Sequence, residues 1–133
     1  MKMKKTILVV CLLLCSCAGG GGSVHNPPPS IRYGTPTELK LEVSVWGAGF
    51  GKIIKRYKNV TCHYRLGPNQ EFKPIHMVPD AATPEQLNAR DRLTFECTLP
   101  AIQPNEGKAV EYYFDMLFDG VYNSRPPVQV KLQ

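Results

Sequence analysis

Five cysteines, three histidines and a scatter of acids are the side chains of this 133-residue chain that could do chemistry. His25, His63 and His76 stand apart, and none has a carboxylate or nucleophile at a spacing that builds a proton relay by itself. Asp80, Glu85, Asp91, Asp115 and Asp119 are dispersed, so they indicate neither a glycosidase-type carboxylate pair nor a cation-binding loop. Three cysteines, Cys11, Cys15 and Cys17, crowd the first residues, and Cys62 and Cys97 follow far downstream. The chain reads as non-catalytic, with no metal and no cofactor.

The crowded cysteines acquire a meaning from what surrounds them. Met1-Lys2-Met3-Lys4-Lys5 is a short cationic start, and Thr6 to Cys15 is an apolar run of the size of a signal-peptide core. Leu14-Cys15-Ser16-Cys17 then resembles the lipobox of bacterial lipoproteins. The resemblance implies removal of residues 1–16 and attachment of acyl chains to Cys17, which would hold the protein in a membrane. Several chains on one residue anchor more firmly than the marginal binding of one. Ala18 after the cysteine, where an Asp is absent, resembles lipoproteins released to the outer membrane of the cell envelope. Loss of Lys2, Lys4 and Lys5 takes the formal charge from +5 to +2. A nucleic-acid partner is therefore not expected. The lipobox leaves Cys62 and Cys97 as an even pair in an oxidising compartment, where a disulfide is the default expectation.

Residues 17–30 after the lipidation site contain AGGGGSVHNPPPS, rich in glycine and ending in three prolines, and read as a tether. Its thirteen residues after Cys17 would reach about 45 Å at full extension. From residue 31 onward the apolar period is two. Leu39, Leu41, Val43 and Val45 share one face; Val60, Cys62, Tyr64 and Leu66 another; Leu93, Phe95, Cys97 and Leu99 a third. Val110 to Phe118 and Val128 to Leu132 alternate in the same way, Phe72 to Val78 reads as a short strand, and Ile31 to Thr35 as a first edge strand. Short strands separated by turn residues, with almost no helical period, predict an all-β antiparallel sandwich of about seven strands over residues 31–133.

Val60-Thr61-Cys62-His63-Tyr64-Arg65, then Phe95 to Pro100 and Gly107 to Phe114 followed by Asp119-Gly120, resemble the immunoglobulin-like and fibronectin type III-like domains of bacterial surface proteins. The approach to the sixth strand departs from the fibronectin pattern, being stretched into Ile102-Gln103-Pro104 … Gly107 … Tyr112. That resemblance implies a fold and no activity. Cys62 and Cys97 lie on the apolar faces of their strands, so both thiols are expected between the sheets.

The connection from Gly47 to Asn59 concentrates cations and rings: Lys52, Lys55, Arg56 and Lys58 with Tyr57, and Trp46 just before. One reading makes it a candidate binding loop; the other has Ile53 and Ile54 capping the core under solvated lysines. In a sandwich of this kind residues 47–59, 79–91 and 118–124, the last with Tyr122, gather at one pole. Thr83-Pro84-Glu85-Gln86 in the second loop reads as a short helical turn. The leading expectation is a membrane-anchored module that contacts another envelope protein. The alternative is a lipoprotein that binds an anionic glycan or lipid headgroup through the 47–59 loop.

Overall fold

The computed structural model describes residues 20–46, 52–80 and 91–133. The expected signal peptide, Cys17, residues 47–51 of the basic connection and the helical turn expected at Thr83-Pro84-Glu85-Gln86 lie outside the described residues. Among the described residues nine strands and one helical turn run in the order β1 (Gly20–Val24), β2 (Thr37–Trp46), α1 (Ile53–Arg56), β3 (Tyr57–Arg65), β4 (Lys73–His76), β5 (Val78–Pro79), β6 (Arg92–Leu99), β7 (Ala109–Phe118), β8 (Val121–Ser124) and β9 (Val128–Lys131). One sheet has the order β1-β2-β6-β5; the other has β4-β3-β7-β8, with β9 also paired to β7. All these pairs are antiparallel. The two sheets pack face to face as an all-β sandwich, as the alternation predicts.

Each long strand turns its apolar set inward. Leu39, Leu41 and Val43 of β2 share a buried core with Val60 and Cys62 of β3, Phe95 and Leu99 of β6, and Val110, Tyr112 and Phe114 of β7. The count exceeds seven because the expected Phe72–Val78 strand is split and because β1 and β8 form where a tether and a loop are expected. The Phe72–Val78 stretch leaves one sheet for the other at Met77: β4 pairs with β3 and β5 with β6. Met77 is buried at the crossing and its N–H donates to the Val60 carbonyl at 2.9 Å. Pro74 and Pro79, which lack an N–H, confine both pieces to sheet edges. Strands β8 and β9 lie on the same side of β7, separated by Arg125-Pro126-Pro127. Asp119 (φ 49°) and Gly120 (φ 79°) give the β7–β8 hairpin the two left-handed residues that match strand twist. Ile31 to Thr35 does not form a strand. It contributes one parallel bridge, Ile31 to Leu132, with Ile31 N–H donating to the Lys131 carbonyl at 2.9 Å.

The tether expectation needs correction. Gly20 to Val24 is an edge strand on β2, in register from Gly20 opposite Trp46 to Val24 opposite Glu42. The glycines permit this docking. A Cβ on Gly21 would collide with the Tyr57 hydroxyl and come within 2.9 Å of the Phe118 ring. Gly20 and Gly22 face the other way, and a Cβ on either would lie 3.0 Å from the Trp46 indole. Composition alone suggested a flexible linker because the segment brings no apolar side chains. Its attachment comes instead from backbone pairing and from close approach by its neighbours.

His25, assigned to the tether by sequence, is a second attachment. Its Nδ1 lies 2.6 Å from the Lys40 carbonyl, which can only accept, so Nδ1 carries the proton. Nε2 then accepts from the Tyr112 hydroxyl, also at 2.6 Å. The ring stands edge-on to Phe114 at 4.8 Å. Arg125 Nη1 reinforces the junction by donating to the carbonyl and the hydroxyl of Ser23, both at 2.8 Å. Burial pulls the His25 pKa below the ordinary imidazole value, the Lys40 bond opposes this, and the charge of Arg125 assists it. The unfolded chain therefore takes up this proton at a higher pH than the folded one. The contribution of the contact is complete above about pH 6.5 and is lost as pH falls below it. Thermal melts at pH 8 and pH 5 should show that loss, and His25→Gln should flatten it. An unchanged pH slope in the variant would rule His25 out as its source.

Candidate functional site

The strand registers bring one set of chain ends together. Val45 N–H donates to the Asp91 carbonyl and Asp119 N–H to the Arg56 carbonyl, both at 2.9 Å. Tyr57, opposite Phe118 in one sheet, reaches the other sheet through its hydroxyl. The end of β2, α1, the start of β6 and the β7–β8 hairpin therefore meet at one pole, as the topology argument expects. α1 crosses that pole and buries Ile53 completely, with Ile54 half-buried against the core. Lys52 and Lys55 are left outside, and Lys58 is exposed at the start of β3.

Two of the sequence-predicted binding residues have internal roles instead. Arg56 is only 15% exposed and clasps Asp119, with Nη2 to Oδ2 at 2.7 Å and Nε to Oδ1 at 3.1 Å. Its guanidinium lies 4.9 Å from the Phe118 ring centre. The Arg56 hydrogen bond holds the Asp119 carboxyl below its ordinary range. Arg56 thus braces the hairpin rather than offering a free cation. Tyr57 is buried, and its hydroxyl donates to the carbonyls of Ser44 at 2.9 Å and Gly22 at 3.3 Å. Burial pushes its phenol up. It ties β3 to β1 and β2 and has no ring face to give a ligand. Trp46 is 55% exposed, with its indole lying over Gly20 and Gly22, and Tyr122 is 62% exposed.

Tyr122 leads to a feature that the sequence reading missed. On the outer face of the second sheet, side chains from β3, β7, β8 and the approach to β4 form a continuous ribbon. Arg65 donates to Glu111 at 3.0 Å and lies over the Phe72 ring at 4.4 Å. Phe72 stands edge-on to Tyr113 at 4.9 Å, and Tyr113 stacks on His63 at 4.7 Å with the rings 13° from parallel. His63 Nε2 meets Asp115 Oδ2 at 2.9 Å, and the Tyr122 hydroxyl donates to the same oxygen at 3.0 Å. That last bond raises the Tyr122 phenol pKa. Beside the ribbon is a cleft of about 390 Å³ lined by Asn59, Thr61, Pro74 and Leu117 among others. Asn59, at a bulge in β3, is in the left-handed region (φ 53°), a costly conformation for a residue with a side chain.

In the sequence His63 stands apart from any carboxylate that could pair with it. Its partner is 52 residues away, and pairing them requires the β3–β7 register, which alternation does not reveal. The available signal was only that both residues occupy polar faces of their strands. The arrangement orients a ring and a carboxylate. Among the described residues no serine, threonine or cysteine side chain hydrogen-bonds to His63, and no three His, Cys, Asp or Glu side chains cluster as metal ligands.

Cys62 of β3 and Cys97 of β6 face each other from opposite sheets, both buried. The expected disulfide is not formed in this structure. Both are free thiols. The Cys97 thiol beside Cys62, and burial after that, push the Cys62 pKa up, while the same contact pulls Cys97 down against its own burial. Placement between the sheets agrees with the inward faces read from the sequence. No protein-family model matches the chain, and the search of characterised proteins finds no relative.

Proposed function

We propose that the chain is a bacterial envelope lipoprotein, lipidated at Cys17, whose immunoglobulin-like sandwich is a non-catalytic module for contact with another envelope protein. The signal-like start and the Leu14-Cys15-Ser16-Cys17 sequence support the anchor, and Ala18 favours the outer membrane. The observation that carries the contact role is the ribbon from Arg65 through Phe72, Tyr113 and His63 to Asp115 and Tyr122. Tyrosine and arginine dominate binding hot spots, and side chains already held by their neighbours lose little freedom on association. In the oxidising envelope we also assign Cys62 and Cys97 a disulfide. The glycan alternative through the 47–59 loop is weakened because Arg56 and Tyr57 are engaged internally.

The test is crosslinking in intact cells, followed by titration of the captured partner with purified protein. Tyr122→Ala and Phe72→Ala, folded by circular dichroism, should each weaken that partner about 30-fold, the effect of losing a hot spot of about 2 kcal/mol. A fatty-acid analogue should label the wild type and not Cys17→Ser. Full affinity in both alanine variants would remove the ribbon from consideration, and equal labelling would remove the anchor.

A further inference from the structure

We propose that the pole carrying Trp46 sits directly on the anionic headgroup surface of the membrane, with Trp46 in the interface. The proposal rests on lipidation of Cys17 and adds how the domain is then held. A free tether would let the sandwich stand well away from the bilayer, but β1 removes that slack. Gly20 is already paired opposite Trp46, so only Ala18 and Gly19 lie between the strand and Cys17. That connection reaches at most about 10 Å. The lipid-bearing residue is therefore confined to the neighbourhood of this pole.

The chemistry of the pole fits that surface. Trp46 and Val121 are among the most exposed large apolar or aromatic side chains of the described residues, and both are at or beside this end, with Tyr122 left to the ribbon. Lys52, Lys55 and Lys58 are exposed around them. The described acids at the pole are Asp80, Asp91 and Asp119, and Asp119 is engaged by Arg56. Amphipathic rings and lysines with apolar stems are the side chains that populate a membrane interface. The potential of an anionic leaflet decays over about 10 Å, the same distance the connection allows. Each lysine held within it contributes about fivefold, so three contribute about a hundredfold.

The chain has one tryptophan, so its emission reports this pole without any substitution. The mature lipidated protein is reconstituted in phosphatidylcholine vesicles with or without phosphatidylglycerol, each carrying a headgroup-proximal nitroxide lipid. On anionic vesicles Trp46 emission should shift to the blue and be quenched. Raising salt from about 0.1 to 1 M, which shortens screening from about 10 to 3 Å, should reverse both changes. The triple variant Lys52→Gln, Lys55→Gln, Lys58→Gln should still float with the vesicles but lose about a hundredfold in occupancy of the quenched state. Arg56 is left unchanged because it braces the hairpin. A protein that floats while Trp46 stays water-exposed and unquenched overturns the seat and leaves the anchor standing. Shielding of Trp46 only on adding an envelope protein, without lipid quenching, overturns it in favour of a protein contact. Failure to float even on neutral vesicles removes the anchor, and the seat falls with it.

Discussion

Replacing Ile53 with alanine should lower the unfolding free energy by about 2–5 kcal/mol, while Ile54→Ala should lower it by less than half as much. The two residues are adjacent and chemically identical, so the contrast isolates position. α1 has four residues, and its N-cap, Lys52, makes no side-chain capping bond. A helix that short has no stability of its own. It stays in place because Ile53 is fully buried in the core and closes the space between the sheets. Truncation there removes the transfer energy of the side chain and leaves a cavity with rigid strands on both sides. Ile54 is half-buried, so water can fill the space it vacates. Urea denaturation of both variants, with the denaturant slope held constant, measures the difference. Equal losses, or a loss below about 1 kcal/mol for Ile53→Ala, would mean that α1 is not the plug described above.

Oxidation of Cys62 and Cys97 should add about 4 kcal/mol to the stability of the reduced protein, from closing a loop of about 36 residues in the unfolded chain. The two cysteines are in different sheets, so the bond would fasten β3 to β6 through the middle of the core. Both thiols are buried between the sheets, which keeps oxidants away from them in the folded protein. Oxidation should accordingly be slow once the protein has folded and faster during folding. Denaturation with and without dithiothreitol reads the stability difference, and Cys62→Ala should abolish it. Two alkylatable thiols after folding under an oxidising glutathione buffer would contradict the assignment.

The strands were legible where side chains alternate, because burial on one face leaves a direct mark in the sequence: Leu39-Leu41-Val43 and Val110-Tyr112-Phe114 lie inward as read. Alternation also turned Cys62 and Cys97 inward. It could not reveal that β4 and β5 belong to different sheets, since the switch depends on one buried methionine and two prolines. The glycine run was misread because strand formation there depends on the absence of side chains, and on what Trp46, Tyr57 and Phe118 require of the space. The candidate site divided along the same line. Trp46, Lys52, Lys55, Lys58 and Tyr122 are exposed, as a list of charges and rings suggests. Arg56 and Tyr57 have the same composition but are committed to Asp119 and to two carbonyls across the sandwich. The His63–Asp115 pair required register, which is a property of two strands and not of either alone.

The docking of β1 has a mechanical consequence. With lipid on Cys17, any pull between the membrane and a partner held on the domain would enter through Gly20, along the axis of β1. The five residue pairs from Gly20–Trp46 to Val24–Glu42 would then be loaded together in shear rather than opened one at a time. A glycine strand would ordinarily yield by slipping two residues, a shift that preserves its inward and outward faces. Here that slip would carry Ser23 into the place of Gly21, where a Cβ meets the Tyr57 hydroxyl and the Phe118 ring. The same fit that admits only glycine therefore works as a detent: the strand holds its register under tension until it detaches whole. Detachment would free residues 20–24, about 17 Å of chain, and loss of the His25 contacts would then release the chain up to residue 30, turning a rigid coupling into a slack one in two steps.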